Sequence, residues 1–180
     1  MRWPDLSTIL VGIPYAVAGA VATRAYMPER ATSDLDIVVV AGDVPRAASR
    51  LRAAGYRERG ALVIGRMAWL SPDGVPVDLI EGSEGWWPQA LEEAAQHPDR
   101  DGEPILPLPW LVLMKLGASR VQDLADVTRM LGAASADDIG GVRGIVRTHA
   151  PDVGDDLDSL IALGRLEAEG GGPENLGPRI

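Results

Sequence analysis

The sequence predicts an α/β (α+β) half followed by a helical half. Three observations carry that prediction. Leu35 to Val40 is a strongly β-branched run and Val75 to Ile80 is a second apolar one, so both read as strands. Between them Val44, Ala47, Ala48 and Leu51 fall on one face of a helix that Gly55 ends. After a polar stretch from His97 to Glu103, containing Pro98 and Gly102, the remaining periodic segments repeat with helical spacing.

In chain order, Asp5 to Val11 reads as a short helix and Pro14 to Ala18 as a buried strand. Gly19-Ala20 opens a second helix running to about Tyr26, and Met27 to Ser33 is a loop containing Pro28. The Leu35–Val40 strand and the Val44–Ala54 helix follow. Ala61 to Leu70 and Val75 to Ile80 are strands joined as a hairpin by the Pro72-Asp73-Gly74 turn. A helix covers Pro88 to Gln96. Later helices span Pro109 to Leu131, Ala136 to His149 with Ser135 as N-cap, and Asp155 to Ala168. The glycine- and proline-rich segment from Gly170 to Ile180 is expected to be a disordered tail. The organisation is therefore a core over 1–97, a helical subdomain over 104–169 and a tail over 170–180.

Composition narrows the chemistry. The 180 residues include no Cys and two His, so disulfides, thiolate catalysis and a histidine-rich metal site are excluded. A metal would be held mainly by carboxylates, which favours Mg²⁺, Mn²⁺ or Ca²⁺. The net charge of -9 argues against a protein that coats itself with nucleic acid. Leu6 to Thr23 carries no charge and competes as a membrane span or signal peptide. Gly12 and Pro14 interrupt it and Asp5 precedes it, so a buried strand and helix in a cytoplasmic protein is the preferred reading.

Asp34 and Asp36 stand at the start of the Leu35–Val40 strand, two apart and hence on one side, roughly 6–7 Å apart at the backbone. A divalent cation between them removes their repulsion. A solvated strand end is the plainer explanation of such a pair. Asp78 sharpens the case, because a carboxylate within Val75–Ile80 is costly unless paired or metal-bound. If the two strands are neighbours, Asp78 completes a three-carboxylate cluster suited to phosphoryl or nucleotidyl transfer. The alternative for Asp78 is an arginine-paired strand residue.

Gly19-Ala20-Val21-Ala22, followed by Arg30-Ala31-Thr32-Ser33-Asp34-Leu35-Asp36-Ile37-Val38-Val39, resembles the signature of polymerase-β-type nucleotidyltransferases. That signature is a Gly-Gly or Gly-Ser pair, then Arg-x-Thr-x-Asp-x-Asp entering an apolar strand. Here the second small residue is Ala20, so the serine hydroxyl is missing. Lys115-Leu116-Gly117-Ala118, then Arg120 and Asp123 to Asp126, is similar to the family's later helix pair. The flavour is that of the minimal AbiEii and MenT toxin group.

The resemblance implies a mixed sheet with flanking helices followed by a C-terminal helical bundle. It implies an NTP substrate with Mg²⁺ or Mn²⁺ on Asp34, Asp36 and Asp78, the last also a candidate base. Gly19, Ala20, Arg30, Lys115 and Arg120 would contact NTP phosphates. Lys115 is the single lysine against sixteen arginines, which suits a compact ammonium on the triphosphate. A lysine snorkelling off a helix is the plainer account. Arg30 is divided between phosphate contact and an ion pair. Thr32 is expected to satisfy loop backbone, and Asp123 or Asp126 to hold Lys115 or Arg120. The implied acceptor is RNA (tRNA) or protein, as for a toxin-antitoxin-type toxin with a cognate antitoxin. An aminoglycoside or lincosamide antibiotic is the alternative acceptor, and an inactive nucleotide-binding module of the same fold is the alternative function. No membrane association is expected.

Overall fold

The structure, a computed structural model, describes residues 3–28, 31–63, 65–99 and 102–170. It comprises two compact units, Met1–Pro107 and Leu108–Ile180.

The first unit is built on a five-stranded mixed sheet. Its strands are β1 (Tyr15–Val17), β2 (Leu35–Val40), β3 (Arg57–Val63), β4 (Arg66–Leu70) and β5 (Pro76–Gly82). Their spatial order is β1-β2-β5-β4-β3, with β2 and β5 parallel and the other pairs antiparallel. The apolar runs of β2 and β5 take the inner positions, where Leu35, Ile37, Val38, Val39, Val77 and Leu79 are buried. Helices α1 (Gly19–Thr23), α2 (Val44–Ala53) and α3 (Trp87–Ala95) flank the sheet. Of the α2 face expected from its spacing, Ala47, Ala48 and Leu51 are buried and Val44 is half-buried. In α3, Trp87, Ala90, Leu91 and Ala94 are buried at helical spacing.

The β4–β5 hairpin forms as expected. Ser71 closes it twice, with its amide on the Val75 carbonyl (2.9 Å) and its hydroxyl accepting the Val75 amide (2.9 Å). The single strand expected over Ala61–Leu70 is instead the end of β3 and the whole of β4, which pair antiparallel across a turn at Gly65. The segment expected as a helix from Asp5 forms only a turn, in which the amides of Ile9 and Leu10 bond the Leu6 carbonyl and bury Leu6 and Leu10. The uncharged stretch from Leu6 to Thr23 thus supplies this turn, β1 and α1. No helix among the described residues is long and apolar enough to cross a membrane. The division between units follows Pro107, beyond the 97–104 stretch, because Ile105 bridges Val17 and the Leu106 amide bonds the Val17 carbonyl (3.0 Å).

The second unit contains α4 (Leu108–Ala118), α5 (Val121–Ala133), α6 (Ala136–His149) and α7 (Gly154–Gly170). The continuous helix expected over Pro109–Leu131 is broken by Ser119, whose φ of 51° lies in the left-handed region. Ser135 caps α6 in a reciprocal box with Asp138. Helices α5 and α7 meet backbone to backbone, since a Cβ on Gly132 would overlap the Gly164 carbonyl. Arg30 and the tail segment 171–180 lie outside the described residues, so the expectations placed on them have no counterpart here.

Candidate metal centre

Strand pairing decides whether the acidic residues meet. In the parallel β2–β5 ladder Asp36 is the register partner of Asp78, and Ala68 of β4 continues the same row. Side chains directly opposite each other share a face of the sheet. Asp34 lies two residues before Asp36 and joins that side. One carboxylate oxygen from each of Asp34, Asp36 and Asp78 lies within 4.8 Å of the others. Asp78 is buried, whereas Asp34 and Asp36 are half-buried.

Three neighbours fix these carboxylates. Arg66 opens β4 two residues before Ala68, so the strand alternation turns it to the same face. Its Nε donates to Asp78 Oδ2 (3.0 Å), its Nη2 lies 2.8 Å from that oxygen, and Nη2 also donates to Asp36 Oδ1. The arginine-paired account of Asp78 and the three-carboxylate cluster are therefore both realised. Thr32 donates its hydroxyl to Asp34 Oδ1 (2.6 Å), a side-chain contact in place of the backbone role expected for it. Gly19 has a φ of +57°, and a Cβ there would overlap Asp36 Oδ2 and lie 2.6 Å from its Cγ. The missing side chain of Gly19 is the space into which the Asp36 carboxylate fits.

An all-oxygen donor set at this spacing suits a hard divalent cation. The guanidinium lodged against two of the three acids marks the spot as one where positive charge settles. The residues present thus fit Mg²⁺ or Mn²⁺.

The helical unit holds a second ionic cluster. Lys115 Nζ donates to Asp123 Oδ1 (2.9 Å) and Asp126 Oδ2 (2.8 Å). Arg120 Nε donates to Asp123 Oδ2 (2.5 Å), and Gln122 Nε2 to Asp126 Oδ1 (3.1 Å). Lys115, Asp123 and Asp126 are 3%, 4% and 0% exposed. Burial pushes the Asp123 carboxyl up, but hydrogen bonds and charge from Arg120 and Lys115 outweigh it and hold the group below its ordinary range.

Neither a family model nor a curated protein sequence matches the chain. Among solved structures, the antibiotic-resistance factor ANT(2'')-Ia is similar with a TM-score of 0.51 over 91% of this chain and 89% of its own, at 12% identity. The chain has a nucleotidyltransferase fold. A structure of ANT(2'')-Ia in complex with adenylyl-2''-tobramycin gives a TM-score of 0.45 at 11% identity, covering 90% of this chain and 94% of that one. Terminal uridylyl transferase 4 from Trypanosoma brucei, with bound GTP, gives 0.34 at 16% identity, covering 69% and 45%.

Within the nucleotidyltransferase fold, Arg66 is the site residue that sequence reasoning missed. A signal for it existed. Counting back from the Pro72-Asp73-Gly74 turn pairs Ala68 with Asp78, and Arg66 then lies one diagonal step away on the same face. Reading Ala61–Leu70 as one undivided strand hid that Arg66 starts a new one.

Proposed function

We propose that the chain is an active nucleotidyltransferase that moves a nucleoside monophosphate from an NTP to an acceptor hydroxyl, using Mg²⁺ or Mn²⁺. The convergence of Asp34, Asp36 and Asp78 to within 4.8 Å carries this reading, because Asp78 comes from a point of the chain distant from the Asp34/Asp36 pair and bringing like charges together costs stability. When bound at these acids, the cation supplies charge neutralisation on the triphosphate and acidifies the attacking hydroxyl.

The residues themselves do the rest. Thr32 holds the Asp34 carboxylate by its hydroxyl, and Gly19 admits the Asp36 carboxylate against the backbone. Asp78 takes the acceptor proton as the acceptor oxygen bonds to the α-phosphorus. The bond from that phosphorus to the α–β bridging oxygen breaks, and pyrophosphate leaves. Gly19 and Ala20 present backbone to the phosphates beside Asp36, and Arg30 and Arg120 remain proposed phosphate contacts by resemblance. Lys115 is read differently from its expected place on the triphosphate. Buried between two carboxylates, it pins α4 to α5.

For the acceptor, the resemblance to the AbiEii and MenT toxin group favours RNA or protein, in the manner of a toxin with its antitoxin. A net charge of -9 favours a second reading, a polycationic antibiotic, since an acidic surface attracts such an acceptor and repels RNA. ANT(2'')-Ia, whose fold the chain shares, is an antibiotic-resistance factor.

The test is incubation with each labelled NTP and Mg²⁺ in the presence of total tRNA, a protein extract, or aminoglycosides and lincosamides. Label transfer to one acceptor class by the wild type, lost in Asp36→Asn, supports the reading and names the acceptor. NTP binding without transfer to any of them would replace it with a non-catalytic nucleotide-binding module.

A further inference from the structure

We infer that Arg66 is an exchangeable counterion of the candidate metal centre: its guanidinium holds Asp36 and Asp78 together while no cation is present, and must leave them for a cation to bind. This rests on the function proposed above. The geometry is competitive. Arg66 uses Asp78 Oδ2 and Asp36 Oδ1. A cation shared by Asp36 and Asp78 draws on the same two carboxylates, at oxygen distances of about 2.1 Å for Mg²⁺. Two positive centres within that space repel one another, and the guanidinium side chain is only 19% exposed, so water does little to screen them.

The placement of Arg66 suits an exchange rather than a fixed bridge. It is the first residue of β4, next to the turn at Gly65, and the Glu81 amide bonds the Gly65 carbonyl (2.8 Å) to fix the backbone there. A long side chain therefore swings about an anchored Cα. Thr32 and Gly19 keep Asp34 and Asp36 in position when it does. The device keeps the clustered acids from repelling in the cation-free protein, and it raises the threshold that a free cation must meet. Once displaced, the same planar fork matches phosphate oxygens, so a cation arriving with an NTP offers Arg66 a new partner and a cation arriving alone does not.

The experiment is Mn²⁺ binding to the full chain without nucleotide, followed by the electron paramagnetic resonance signal of free Mn²⁺. Wild type, Arg66→Gln and Arg66→Lys are compared, together with the rise in melting temperature that Mg²⁺ produces in each. Arg66→Gln should bind Mn²⁺ about tenfold tighter than wild type, and Mg²⁺ should raise its melting temperature more. Arg66→Lys, which keeps the charge but loses the fork, should fall between them. Equal or weaker Mn²⁺ binding by Arg66→Gln overturns the inference. If wild type binds Mn²⁺ and transfers nucleotide while Arg66→Gln gains nothing, Arg66 alone has been misread. If neither protein binds Mn²⁺ and wild type transfers nothing, the proposed function falls with it.

Discussion

Two clusters of acids and bases, one in each unit, look alike in composition and differ in kind. Around Lys115, Asp123 and Asp126 are almost wholly buried, and both oxygens of each carboxylate already accept a hydrogen bond. Around Arg66, Asp34 and Asp36 are half-buried and the acids crowd one another. A closed cluster in which every carboxylate oxygen already accepts a hydrogen bond is a lock, and opening it leaves a buried charge without its partner. A cluster at the edge of water, where like charges are pressed together, is poised to take a cation. Burial and saturation, more than the residue types, separate the two.

Exchanging the readouts tests that distinction most strongly. Asp36→Asn should lower nucleotidyl transfer by about a thousandfold or more, because the centre loses a ligand. Urea unfolding of the same variant should change by less than about 1 kcal/mol, since one of the crowded like charges has gone. Lys115→Met should do the reverse on stability, costing about 3–5 kcal/mol in urea unfolding by stranding Asp123 and Asp126. A Lys115→Met protein as stable as wild type but unable to transfer nucleotide would move Lys115 back to the triphosphate.

Gly19→Ala ranks next. The new methyl meets the Asp36 carboxylate at a backbone φ of +57°. It should cost about 1–3 kcal/mol through left-handed strain and overpacking. Transfer should fall as Asp36 is pushed out of line. If the variant keeps full transfer activity with only a stability loss, Asp36 does not need its present position and the open cluster is less finely placed than the closed one.

What the sequence made legible follows the same physics. β2 was readable from its β-branched run, the β4–β5 hairpin from Pro72-Asp73-Gly74, and the α6 start from Ser135, because each signal is local. The convergence of Asp36 and Asp78 could be posed only as a condition on strand neighbours, since pairing of β2 with β5 is a long-range fact. β3 escaped because Arg57–Val63 lacks clean alternation and its register with β4 shifts at two points. The break between α4 and α5 escaped because the positive φ falls on Ser119, whereas Gly117, the residue that would have announced a break, stays inside α4. Arg66 was lost with the missed β3–β4 turn, and the contact of Gly19 with Asp36 was lost because α1 and β2 meet only in three dimensions.

The smallest effect expected is on pH dependence, and it sharpens the comparison with a carboxylate that lies outside both clusters. Glu103 accepts the Leu6 amide (2.8 Å) and the Tyr15 hydroxyl (2.5 Å). Burial, and more weakly Asp5, push its carboxyl above the ordinary range despite those two donors. A raised carboxyl binds more protons in the folded chain than in the unfolded one, so its contribution falls as pH rises from about 4.3 through its folded value. Asp123 is held low, so its contribution is present above about 3.9 and is lost as pH falls through its folded value. Urea unfolding from pH 3 to 7 separates the two signs. Relative to Glu103→Gln, wild type should lose stability as pH rises, whereas relative to Asp123→Asn it should gain. An Asp123 difference curve that falls with pH, like that of Glu103, would mean that the bonds from Lys115 and Arg120 do not offset the burial of Asp123, and the helical cluster would then be no lock at all.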